Sequence, residues 1–121
     1  MTGTVTLTTL VSFNGADGDM PSGSLIADSN GDLFGTTVGG GANGDGTVFE
    51  IVKTAGGYAS TPTTLVSFNG TNGDMPRGSL IADSDGDLFG TTAGGGANEE
   101  GTVFEIADSG FGAAPPPPPR P

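Results

Sequence analysis

Asp28, Asn30 and Asp32 place side-chain oxygens at alternate positions around one tight turn, and Asp83, Asp85 and Asp87 repeat the arrangement. Oxygen ligands at that spacing suit Ca²⁺, a hard cation that takes about six to eight of them. One hairpin loop supplies only part of such a shell, and no Glu follows where an EF-hand loop would end. Asp17 with Asp19, and Asn72 with Asp74, gather oxygens in further turns. The competing reading is conformational, because Asp and Asn in turns hydrogen-bond their own backbone and need no ion. Both readings stand at this level. If calcium binds, Asp28, Asn30, Asp32, Asp83, Asp85 and Asp87 are the residues expected to hold it.

Other chemistries are narrower. The sequence has no Cys and no His, which removes disulfides, thiolate nucleophiles, ordinary zinc sites and His-based acid–base catalysis. Residues 39–46 and 94–101 share only their glycine content with phosphate loops, since neither a Lys nor a helix follows. They also lack the strict period of calcium-binding β-rolls. A flexible loop joining two strands is the simpler expectation. Glycosidic cleavage needs one carboxyl kept protonated in an apolar pocket, whereas most acids here fall in turns. Glu50 and Glu105 differ by lying within Val-Phe-Glu-Ile segments. Strand alternation turns them towards solvent or towards the central channel of a ring. No catalytic or cofactor-binding residue is assigned, and the chain is not expected to be an enzyme.

The net charge of −11, with 14 acidic residues against Lys53, Arg77 and Arg120, repels phosphate backbones and anionic bilayers. Nucleic acid is therefore not an expected partner, nor is an anionic membrane surface. No run approaches the roughly 18 apolar residues of a membrane span. Hydrophobic residues amount to 33% and Gly to 24 residues of 121, a turn-rich composition with few apolar residues to fill a core.

What must position these turns is a repeat. Residues 8–51 realign without a gap on residues 63–106, an offset of about 55 residues. Each copy shows four segments with strand character, at residues 23–28, 32–37, 46–52 and 58–68 in the first. Ser29-Asn30-Gly31 and Ser84-Asp85-Gly86 join the first two segments; Asn-Gly and Asp-Gly there are strong hairpin signals. Leu25 and Ile26 are adjacent apolar residues on one strand. Both faces of its sheet are therefore expected to be covered, with Phe13, Phe34, Phe49 and their copies between the layers rather than offered to sugars. The predicted fold is all-β: β-propeller-like tandem repeats, two four-stranded antiparallel blades with an offset N-terminal strand. The divisions are residues 1–13, a strand completing a blade; 14–68, the first blade; 69–108, an incomplete second blade; and 109–121, a Gly/Pro-rich tail in polyproline II.

The offset has a consequence. Residues 4–13 match the fourth strand before any first strand has appeared, and the second copy runs out after its third. Two blades cannot close a ring of about four to eight. The chain is thus either an excerpt of a longer array or a unit that assembles with its copies by blade stacking and strand exchange.

Gly-Ser-Leu-Ile-Ala-Asp, Asp-Leu-Phe-Gly-Thr-Thr, Gly-Gly-Gly-Ala-Asn and Gly-Thr-Val-Phe-Glu-Ile resemble the tandem repeats of the GloVer (Gloeobacter–Verrucomicrobia) family of choice-of-anchor bacterial surface proteins. The likeness covers about residues 8–106. It implies an exported, surface-associated array with a propeller-like fold, and no catalytic residues. The start of the chain has neither the basic nor the apolar region of a signal peptide, so that segment and an anchor are expected to be missing from this sequence. The expected function is that of a structural or adhesive extracellular repeat that assembles with copies of itself. The alternative is a glycan- or peptide-binding propeller module, with calcium as a stabiliser.

Overall fold

The computed structural model describes residues 3–112; the expectation of polyproline II over residues 113–121 lies outside them. Ten strands follow one another: β1 (Asp19–Ala27), β2 (Leu33–Gly39), β3 (Thr47–Ile51), β4 (Lys53–Thr54), β5 (Gly57–Tyr58), β6 (Thr63–Ser67), β7 (Asp74–Pro76), β8 (Ile81–Ala82), β9 (Leu88–Gly94) and β10 (Thr102–Ile106). The described residues contain no helix, and none long and apolar enough to cross a membrane. The first copy forms an antiparallel sheet in the order β1-β2-β3-β6. The second forms β10-β9-β7, with β8 also on β9, while β4 and β5 make a separate small hairpin. The class is therefore all-β with antiparallel sheets, and the described residues close no ring.

The four strands expected of the first copy are present with altered bounds. β1 begins at Asp19, ahead of the expected segment, and carries an irregularity between Ser22 and Ile26. Its counterpart in the second copy splits into β7 and β8. The two copies meet at this irregularity, where Ser24 N–H donates to Ser79 Oγ at 3.0 Å. A Cβ on Gly23 would lie 2.8 Å from the Gly78 carbonyl oxygen, so the close approach requires glycine there. Of the expected fourth segment only Thr63–Ser67 joins the sheet, and Tyr58 belongs to the small hairpin.

The β1–β2 turn is a hairpin, as Asn-Gly signals, but of the three-residue kind. Gly31 N–H donates to Asp28 C=O and Asp28 N–H to Asp32 C=O, and Gly31 alone takes a positive φ, of 84°. A type I turn followed by a left-handed Gly fits these bonds better than the two-residue mirror-image turn. Residues 39–46, expected as a flexible link, are fastened by backbone bonds: Gly41 N–H donates to Gly15 C=O and Gly46 N–H to Gly40 C=O.

Threonines fix the strand ends. Thr37 Oγ1 donates to Gly39 C=O at 3.0 Å. Having one hydrogen, it therefore accepts from Thr47 Oγ1 at 2.8 Å and Thr47 N–H at 3.1 Å. Thr92 and Thr102 repeat the set.

The two sheets pack together on Phe34, Val48, Phe68, Leu80 and Leu88, with Ile26, Leu65, Val66, Ala82, Phe104, Ile106 and Phe111 around them. This layer accounts for most of the apolar burial, and it draws on different faces of the two copies. The first contributes the face of Ile26, Phe34 and Val48; the second contributes that of Leu80, Leu88 and Phe104, which lies opposite in strand alternation.

Two chain ends depart from expectation. Residues 3–14 take no strand conformation, so the expected strand over residues 4–13 does not pair with β10 inside this chain. The partner it needs lies beside the second copy, whereas Phe13 stays on the first, its ring 5.0 Å from that of Phe49. Residues 109–112, expected to start a spacer, fold back instead. Ser109 Oγ donates to Gly86 C=O, and the Phe111 ring lies 5.2 Å from that of Phe34.

Candidate functional site

The acidic turns carry the oxygen-rich side chains expected to hold calcium. Asp28 Oδ1 accepts the N–H groups of Asn30 and Asp32, each at 2.9 Å, and Oδ2 accepts that of Gly112 at 2.8 Å. Asp32 Oδ1 accepts Lys53 N–H at 2.7 Å. In the second copy Asp83 Oδ1 accepts from Asp85 and Asp87, and Asp87 Oδ1 from Asp108. The structure brings one oxygen each of Asp83, Asp85 and Asp87 within 4.8 Å of one another; in the first copy Asn30 replaces the middle carboxylate. Asp28, Asp32, Asp83 and Asp87 thus hold hairpin backbone, the conformational role weighed for them. Asp17 and Asn14 exchange side chain-to-backbone bonds, as do Asn72 and Asn69. Asp19 and Asp74 open β1 and β7.

Glu50 is half-buried on β3 opposite Phe34, whereas Glu105 is exposed. Burial holds the Glu50 carboxyl above its ordinary value, and the negative charges of Asp32 and Asp28 add to the shift. The two acids that add to the shift belong to the hairpin turn.

The second site is a pair of sheet faces that the other sheet does not cover. Leu80 of the second copy is 1% exposed, while its counterpart Leu25 is 53% exposed. Val48 of the first copy is fully buried, while its counterpart Val103 is 81% exposed. Leu25 and Val103 thus meet solvent where their counterparts meet the other sheet, whereas Phe49 and Ile51, on the same face as Leu25, are buried, with the Phe13 ring against that of Phe49. On the first sheet the uncovered face forms an open groove of about 280 Å³ lined by Leu10, Val11, Leu25, Leu33, Phe49 and Ile51. On the second it is a shallow recess lined by Ile81, Phe89, Thr91 and Val103. The first matches the surface that the second copy buries inside the chain, and the second matches the surface that the first copy buries. β10 also leaves one edge without a strand among the described residues.

The adjacent Leu25 and Ile26 signalled that both faces seek cover. Sequence alone carried no sign of which face each copy leaves open, because the copies are nearly identical and only their order separates them.

The sequence matches the Gloeobacter/Verrucomicrobia repeat over residues 1–113. No curated protein and no solved structure matches it.

Proposed function

The chain belongs to the Gloeobacter/Verrucomicrobia repeat family, and on that footing we propose that it is a structural or adhesive repeat of the cell surface. It associates head to tail with copies of itself into a propeller-like array. The reading assigns it no catalysis. The acidic turns enter it as hairpin fasteners.

The observation that carries the reading is the opposite burial of equivalent residues. The interface between the two repeats is heterologous, joining one face of a repeat to the other face of the next. It therefore leaves one face of each kind without a sheet against it. Two complementary unused faces on one molecule are the condition for head-to-tail association, which ends in a ring or runs on as a filament. Exposed apolar sheet faces of this sort also drive association in water. The largely aliphatic lining of the groove favours another protein face over a sugar, which prefers aromatic platforms and polar partners.

Blocking one face at a time tests this. Leu25→Lys closes the groove and leaves the Ile81 face open, whereas Ile81→Lys does the reverse. Light scattering should show each variant as a monomer alone and a one-to-one dimer on mixing, because each retains the face the other lacks. Unaltered assembly of both variants would overturn the proposal.

A further inference from the structure

The geometry points to residues 8–12 of one copy as the strand that fills the open edge of β10 in a second copy. The pairs would be Ser12 with Thr102, Val11 with Val103, Thr9 with Phe104 and Thr8 with Glu105, running antiparallel. This rests on the head-to-tail reading and adds to it the covalent segment that locks the two faces together.

The template is inside the chain. Residues 63–68 repeat the sequence Thr-Thr-Leu-Val-Ser-Phe of residues 8–13. There β6 pairs with β3 in the register Thr47↔Ser67, Val48↔Val66, Phe49↔Thr64 and Glu50↔Thr63, with the irregularity falling at Leu65. β10 has the sequence of β3, Thr-Val-Phe-Glu-Ile. Carrying the register over by the repeat offset places Leu10 in the irregularity.

Half of the arrangement already exists. After pairing with β3, the chain of the first copy passes into the second, where the Phe68 ring lies 5.2 Å from Phe104 and its Cδ1 3.0 Å from the Cβ position of Gly73. Phe13 takes the same seat on the first copy, 5.0 Å from Phe49 and with Cδ1 3.0 Å from the Cβ position of Gly18. The anchoring Phe is thus in place, while the strand before it is not. Leu10 within it is exposed, and Val5 and Leu7 ahead of it almost fully so.

Among the described residues the acceptor edge carries no strand, and the path of the chain explains this. After β3 the chain turns through β4 and β5 and returns as β6. After β10 it leaves for the other sheet, where Phe111 packs on Phe34 and Gly112 bonds Asp28. The described residues that follow β10 therefore do not return along it. Thr47 is fully buried under β6, whereas Thr102 is half-exposed. An unpaired edge of β-branched and aromatic residues is a ready template for another strand.

The absence of cysteine makes disulfide trapping clean. Single-cysteine variants Thr8→Cys, Val11→Cys, Val103→Cys and Glu105→Cys are mixed in pairs and mildly oxidised, with the mass of each mixture followed in parallel. In-register pairs, Val11→Cys with Val103→Cys and Thr8→Cys with Glu105→Cys, should give mixed disulfide dimers as the main product. Crossed pairs are displaced by two residues at about 3.3 Å each, beyond the roughly 7 Å that a disulfide spans once the gap between strands is added. They should yield several-fold less. Assembly with equal yields from in-register and crossed pairs, or with none, overturns strand donation and leaves face-to-face association standing. Monomers throughout overturn both.

Discussion

Asp28 shows how a single side chain can organise a loop. Its two carboxylate oxygens receive three backbone N–H groups, two from its own hairpin and one from Gly112. Asp83 receives two. Leaving such donors unpaired costs about 1–3 kcal/mol. Asp28→Ala should lower stability by an amount in that range and by more than Asp83→Ala, as measured by urea denaturation. Glu50 acts in the opposite sense. Its pKa is raised, chiefly by burial, so its contribution to folding is complete below its unfolded value and is lost as pH rises through the folded value. At neutral pH the charged group therefore destabilises the fold. Glu50→Gln should raise the melting temperature there, and the gain should vanish on acidification below the ordinary value of 4.5; a gain of equal size in acid would contradict this. The turn role of the aspartates was legible in the sequence, because Asp and Asn beside Gly have few other conformations that suit them. The perturbation of Glu50 was not, since strand alternation leaves open which side a sheet buries.

At the level of elements, the cross-strand pairs Gly35–Phe49 and Gly90–Phe104 explain a glycine in the middle of each central strand. The ring of Phe lies across the glycine, and a Cβ on Gly90 would approach Phe104 Cζ to 2.5 Å and Leu80 Cδ2 to 3.0 Å. Leu80 is locked in the core whereas Leu25, its counterpart beside Gly35, can move into solvent. Gly90→Ala should therefore cost about 1–3 kcal/mol by overpacking, and Gly35→Ala less. Thermal denaturation of the two variants checks the order. The strands of the first copy and its hairpin were readable from β-branched runs and Asn-Gly. The break between β7 and β8 was not; it falls where Arg77–Ser79 lie against Ser22–Ser24 of the first copy. The N-terminal segment reads as a strand by its sequence, which equals that of β6. Strand conformation depends on a neighbouring edge, however, and among the described residues none pairs with it.

For the whole molecule, repetition determines which surfaces are left exposed. Two copies related by one heterologous interface bury one face each and leave the complementary faces open, and the same order leaves an unplaced strand at one end and an open edge at the other. The net charge of −11 opposes the approach of copies, so added salt should strengthen association by screening it. The sequence revealed the repeat and its offset; which surfaces meet followed only from the packing of Leu80 against Phe34 and Val48. Sedimentation equilibrium over a range of concentrations distinguishes a self-associating chain from a monomer. Head-to-tail association predicts species that are multiples of 11.8 kDa, growing with concentration and with salt. A single species of 11.8 kDa at every concentration and salt level would contradict it.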